Sequence, residues 1–353
     1  MGRTLILGKA DRGFLHRVVY RKLGAHRPEI LVGPEFGVDN AVVKVGGGKV
    51  LVATTDPLSF IPALGPQNSA WLSVNLLASD LTTSGFAPQY GIFDLNLPPE
   101  MNDAAFAHYW KAFHKECKQL GVSVVGGHTG RYEGCGYTII GGGVLYALGS
   151  EDRYLTSAMA ESGDDIILTK GAAVETTAVL TRAFPRSVRR ALGARLYERA
   201  WGWLTKVTTV KDALTAASVG VHRQGVTAMH DATEGGVIGA ILEFADASGL
   251  GAELDLDDIS VEEETREVCK FFQIDPLVSL SEGSLIIACR PGMTGRVLNR
   301  LSSQGIESTV IGSLNSKTRF VYGTSRKGRF RMRYPRIDPY WKAYWKATMK
   351  HWN

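Results

Sequence analysis

Apolar and polar positions alternate with two different periods along this chain, and the switches between the periods mark its elements. Residues 13–24 follow a helical pattern. Residues 40–54 read as two short strands around Gly46-Gly47-Gly48, the second running through Lys49-Val50-Leu51-Val52-Ala53. A helix is expected from about residue 67 to 84, then a strand over 90–97 that Pro98-Pro99 breaks. A second helix over 102–120 stops at Gly121, and residues 137–148 alternate like a strand. The polar stretch 151–165 precedes Ile166-Ile167-Leu168-Thr169, where strand and helix begin to alternate again. The pattern predicts an α/β protein with a first domain over 1–152, a second over 153–325 and a tail over 326–353.

Composition adds limits. A chain of 353 residues with 44% hydrophobic residues can bury two cores. No apolar run is long enough to span a bilayer. No leader pattern opens the chain, and Ile6 spoils the lipidation signal that Met1-Gly2 suggests, so a cytoplasmic protein is expected. Cys117, Cys135, Cys269 and Cys289 are scattered without metal-type pairing; Cys135, in a glycine-rich stretch, is the one to test for reactivity. The last 28 residues carry a net charge of +8 out of the total of +5, leaving the body at about −3. The body is therefore no basic nucleic-acid platform. In the tail, Tyr340, Trp341, Tyr344, Trp345 and Met349 are expected on one helix face, docked on the body or on a second subunit. Lys342, Lys346 and Lys350 form a solvated stripe.

The candidate chemistry lies where apolar runs give way to Asp, Asn, Thr or His. These places are Asp39-Asn40, Thr54-Thr55-Asp56, Asp80, and His128-Thr129 after Gly126-Gly127. Carboxylates gathered from several elements suit a hard divalent cation on phosphate oxygens. In the second half, His230-Asp231-Ala232-Thr233-Glu234-Gly235-Gly236 runs into an apolar helical pattern, whose free N–H groups make a candidate anion site.

In order and spacing these motifs resemble the aminoimidazole-ribonucleotide (AIR) synthetase, or PurM-like, superfamily. The HypE-like, AIR synthase-related branch is nearest, through Leu7-Gly8-Lys9, Arg27-Pro28-Glu29, Val32-Gly33-Pro34, Asp275-Pro276-Leu277 and Ser281-Glu282-Gly283. The resemblance implies a two-domain fold with mixed sheets, ATP and Mg2+ as cofactors, and a homodimer joined through the first domain. It implies metal contacts for Asp39, Asp56 and Asp80, although Asn40 replaces the second acid of the family's Asp-Asp pair and removes one charge. Lys9, Asn40, Thr54, Thr55, Gly126, Gly127, Thr129, Lys170 and Gly171 are the implied nucleotide contacts. Asp231, Thr233, Gly235 and Gly236 are the implied substrate contacts, with Glu234 as a possible helix cap.

His128 stands where relatives carry an acid. It is read as a phosphate or substrate contact or a proton carrier, against a hydrogen-bonded turn histidine. Arg131 is read as a stabiliser of transferring phosphate, against a surface salt bridge. The implied activity is ATP-dependent phosphorylation of an oxygen. HypE's self-modification of a terminal cysteine is not expected, because this chain ends His351-Trp352-Asn353; selenophosphate synthesis is disfavoured, because no Cys precedes Lys9. Two rivals remain: a nucleotide-binding scaffold without turnover, and an adaptor that binds RNA or membrane through its tail.

Overall fold

The computed structural model describes residues 8–353. Met1, Gly2, Ile6 and Leu7, used above, lie outside the described residues. The first half comprises α1 (Arg12–Phe14), which continues as a π turn to Val19, then β1 (Ile30–Val32), β2 (Ala41–Gly46), β3 (Lys49–Ser59), α2 (Gly65–Thr82), β4 (Tyr90–Leu97), α3 (Asp103–Gln119), β5 (Ser123–Arg131) and β6 (Ile139–Ser150). The second half comprises β7 (Asp165–Thr169), α4 (Val174–Ala183), α5 (Pro185–Trp201), α6 (Val210–Ala217), β8 (Val226–Asp231), α7 (Gly236–Ser248), β9 (Gly251–Asp255), α8 (Glu263–Phe272), β10 (Leu285–Cys289), α9 (Pro291–Ser303), β11 (Ser308–Asn315), β12 (Val321–Ser325), β13 (Gly328–Arg331) and α10 (Pro339–Met349).

The first sheet has the order β1-β2-β3-β6-β4-β5, with β4 and β5 parallel and the other pairs antiparallel. Its core is Val50, Val52, Phe93, Leu95 and Leu145 packed on α2 and α3. Asn102 starts α3 by accepting the N–H of Ala105 at 2.8 Å. The second sheet has the order β13-β12-β9-β11-β7-β10-β8 and is covered on two sides by separate apolar clusters. Helix α2 is buried nearly all round. Leu77, Ala78 and Leu81 enter the first core, while Leu72 packs with Val174, Val207 and Trp203 of the second half. Its buried serines are satisfied because Ser69, Ser73 and Ser79 each donate to the carbonyl four residues back.

Several expectations need correction. The 13–24 helix is shorter and partly a π turn. Gly126 and Gly127 do not turn; β5 runs straight through His128 to Arg131 because β4 pairs with it along its length, Asp94 facing His128. Thr54, Thr55 and Asp56 lie within β3, and Asp80 lies in the last turn of α2, while His230 and Asp231 end β8 instead of opening a helix. Residues 328–331, assigned to the tail, form β13 and pair with β12. Helix α10 buries Tyr340, Ala343 and Ala347 and half-buries Trp341 and Tyr344, whereas Trp345 and Met349 face solvent. The i, i+3, i+7 stripe through two small alanines permits close approach, and the larger residues lie off it.

Candidate active site

Four aspartates from four separate elements meet between the halves. Asp39 comes from the loop before β2, Asp56 from mid-β3, Asp80 from the end of α2 and Asp231 from the end of β8. The Asp39 loop reaches the second half because Gly37 has φ +78° and a Cβ there would lie 2.6 Å from the carbonyl oxygen of Glu243. Oxygens of Asp39 and Asp231 and a ring nitrogen of His230 lie within 4.8 Å of one another. Both carboxylate oxygens of Asp231 are buried without a hydrogen-bond partner. Burial and its neighbour Asp39 push Asp231 up to about 7, and burial and Asp231 push Asp56 up to about 7. Asp80 is also raised by burial and by Asp231, Asp56 and Asp39. This excess of buried negative charge, open on the Asp231 side, fits a divalent cation.

A second layer fixes the first. His230 is 1% exposed and contacts Asp39 through Nδ1 at 2.8 Å and Glu243 through Nε2 at 3.2 Å. Burial opposes its charge, but the two carboxylates outweigh burial and hold its pKa up at about 10. Glu243, the buried acid of the apolar α7, also accepts from Lys9 Nζ at 2.8 Å and from the Tyr334 hydroxyl at 2.8 Å. Burial opposes its charge as well, yet Lys9 and His230 bring it down to about 2. Glu175 and Glu282 lie close enough to the aspartates to be raised by burial and by the surrounding acids, and Glu282 Oε2 is buried without a partner.

Beside this cluster is a cavity of about 470 Å3 lined by Lys9, Tyr20, Phe36, Asp39, Asn40, Thr54, Thr55 and Val144, among others. Thr54 Oγ1 donates to the Asp39 carbonyl at 2.9 Å, and Thr55 Oγ1 donates to the Gly143 carbonyl at 2.9 Å. Asn40 spends its amide N–H groups on the Asp80 carbonyl and Thr83 Oγ1, both at 2.8 Å, and its Oδ1 is unpartnered.

Other expected residues lie elsewhere. Gly126, Gly127, His128, Thr129 and Arg131 are on β5, three strands from β3 and so about 14 Å away within one chain. His128 Nε2 contacts the Tyr132 hydroxyl at 2.6 Å, and Arg131 bonds Asp103 at 2.6 Å and the Met101 carbonyl at 3.1 Å. Lys170 is tied to Asp212 at 2.6 Å and the Thr208 carbonyl at 2.7 Å; Gly171, at φ +83°, passes close to Ser260. Thr233 contributes its carbonyl to Gly236 N–H at 3.1 Å. Glu234 is no helix cap: its carboxylate accepts the Lys9 N–H at 2.7 Å, and the cap of α7 comes from the tail, where buried Asp338 accepts the Gly235 N–H at 2.8 Å. The helix N-terminus expected to hold a ligand thus holds this chain's own carboxylate.

Sequence reasoning gave no role to His230, Glu243, Glu175 or Glu282. A single acid inside the apolar stretch 237–245, and another between serines at 281–284, were the available signals.

Among the described residues no helix is long and apolar enough to cross a membrane. Residues 37–145 match the family model "AIR synthase related protein, N-terminal domain", and residues 161–323 match the corresponding C-terminal domain. A Methanocaldococcus jannaschii protein named for hydrogenase expression/formation is 23% identical over 339 residues, covering 94% of this chain and 96% of that one. A selenide, water dikinase of Escherichia coli is 25% identical over 316 residues, covering 81% and 85%. Among solved structures, E. coli HypE superposes with a TM-score of 0.68 at 21% identity, covering 89% and 94%. AaThiL complexed with AMPPCP and TMP does so at 0.66 and 17%, covering 82% and 88%. At those identities the structures speak for the fold, while the two family models together cover most of the sequence: the chain belongs to the AIR synthase related protein family.

Proposed function

We propose that this protein is an ATP- and Mg2+-dependent enzyme that phosphorylates an oxygen of a small molecule or of a carried group. The observation that carries this reading is the convergence of Asp39, Asp56, Asp80 and Asp231 beside one cavity, with both Asp231 oxygens unpartnered. Relatives that use ATP, and a family fold complexed with the ATP analogue AMPPCP, support it.

Asp56, Asp80 and Asp231 would hold Mg2+, since Asp39 is engaged by the His230 imidazolium. Bound Mg2+ supplies positive charge against phosphate oxygens. Lys9, held at the cavity by Glu243, offers its remaining ammonium protons to the same oxygens. Thr54 and Thr55 line the cavity as hydroxyl groups for nucleotide contact. The Asp39-His230-Glu243 chain holds the loop rigid so that positioning costs nothing at the moment of transfer.

Asn40 favours fewer metals than a site with two adjacent acids, because its amide acts as a strut between β2 and α2. The tail adaptor is less well supported, since α10 and Trp352 are packed against Phe184, Phe271 and Phe272. Calorimetry with ATP or ADP and Mg2+ tests the proposal. Micromolar to millimolar affinity that requires Mg2+ is expected, and no detectable binding would overturn it.

A further inference from the structure

Docking one side of α10 on the body leaves the opposite side bare. Tyr340, Ala343 and Ala347 face inward, while Trp345 is 49% exposed and Met349 is 73% exposed. The two exposed residues lie four apart and so share one face, with Lys342 and Lys346 each three residues before one of them. Past the helix the chain turns back onto α5: Asn353 donates its N–H to Ser187 Oγ at 3.3 Å, and its carbonyl oxygen accepts the Ser187 N–H at 2.5 Å. The end of α10, with exposed Lys350, is thereby set beside the start of α5, with exposed Arg186, Arg189 and Arg190.

The charges of this region sort into two sets. Arg195 and Arg199, further along α5, are matched by Glu262, Glu263 and Glu264, and Lys270 of α8 is matched by Glu267. Arg186, Arg189, Arg190, Lys342, Lys346 and Lys350 enter no ion pair among the described residues; Arg189 lies over the Tyr197 ring at 5.7 Å, and Lys346 reaches the Gln273 side chain at 3.4 Å. Unmatched cations on one surface complement an anionic one. A Trp and a Met bared among lysines add an apolar requirement: the indole and the thioether can enter the boundary between lipid headgroups and acyl chains while the ammonium groups stay with the phosphates. Nucleic-acid phosphates would satisfy the cations but leave Met349 in water.

We propose that the outer face of α10, together with the start of α5, docks on an anionic lipid bilayer. Trp345 and Met349 enter the headgroup boundary, and the surrounding Lys and Arg side chains meet the lipid phosphates and carboxylates. Such contact is peripheral, since no helix among the described residues is long and apolar enough to span. None of these residues lines the 470 Å3 cavity, so the inference goes beyond the function proposed above and stands apart from it.

Flotation of the full-length protein tests this, on vesicles of phosphatidylcholine alone and on vesicles that also contain about 30% phosphatidylserine, which supplies the negative surface that clustered Lys and Arg read. Two variants accompany the wild type, Trp345→Ser/Met349→Ser and Arg190→Gln/Lys342→Gln/Lys350→Gln. These side chains are exposed and make no hydrogen bond or ion pair among the described residues, so melting temperature and Mg-ADP affinity should not move. The wild type should float with the phosphatidylserine vesicles and not with phosphatidylcholine alone, less so at high salt. Partition should fall about tenfold or more in the charge variant and about threefold or more in the apolar variant. No flotation of the wild type, equal flotation with both kinds of vesicle, or wild-type partition by either variant would overturn the inference. An RNA oligonucleotide that strips the wild type from the vesicles at equal phosphate concentration would also overturn it, by assigning the face to nucleic acid.

Discussion

Asp231 and His230 are adjacent on one strand, yet one has no partner and the other has two. The difference fixes what each can do. Asp56→Asn or Asp80→Asn removes a charge from the cluster around Asp231 and should weaken Mg-nucleotide binding about ten- to a hundredfold by calorimetry; unchanged affinity in both variants would exclude these residues from the site. The His230 prediction concerns protonation. Its pKa is raised from 6.5 to about 10 in the fold, so its contribution to stability is fully present below about pH 6.5 and is lost as pH rises through about 10. Its ring resonances in NMR should show no titration between about pH 6 and 8, and His230→Gln should cost about 3 kcal/mol or more by leaving Asp39 and Glu243 facing each other unneutralised. The aspartates were legible in the sequence because each interrupts an apolar or helical pattern. Glu243 was not, since one acid inside the apolar stretch 237–245 leaves the period unchanged, and its partners Lys9 and Tyr334 are distant in sequence.

At the level of elements, β4 and α3 were readable because each has a strong period and a clear stop, such as Pro98 after β4, whereas β3 runs past its expected end near residue 54 to Ser59. Strand β5 was obscured by its adjacent pair Gly126-Gly127. They stay extended through pairing with β4, which local sequence does not encode. The face of α10 was misjudged for a related reason: aromatic size suggested burial, but close packing selected the alanines. Asp338 joins that helix to the site, accepting from Tyr340 N–H at 2.9 Å at the start of α10 and from Gly235 N–H at the start of α7. Deleting 338–353 should therefore lower the melting temperature measurably, by uncovering Phe184 and Phe272 and leaving the Gly235 N–H without its acceptor. Mg-nucleotide binding should survive, because none of these residues lines the 470 Å3 cavity. Unchanged stability with lost nucleotide binding would contradict this account of the tail.

For the whole molecule, the first sheet presents an open edge at β5 and a face with Ile92 and Leu148 each more than two-fifths exposed, and Val124, Val125 and Ile139 are exposed to the same extent on β5 and β6. A bare apolar face beside a free edge calls for a cover, and a second copy is the family's implied one. Light scattering should give about twice 38.3 kDa at micromolar concentration, and Ile92→Glu/Val125→Glu should give the monomer without loss of fold; a monomeric wild type would refute the dimer. Helix α2 has a different consequence. Since Leu77 and Leu81 belong to one core and Leu72 to the other, the helix rivets the halves together independently of the connecting backbone. A protease cut in the exposed Glu161-Ser162-Gly163 segment should therefore yield two bands on a denaturing gel but one particle in gel filtration. Chain termini could be moved to that point by circular permutation, so the covalent bridge is the dispensable connection and the helix the essential one.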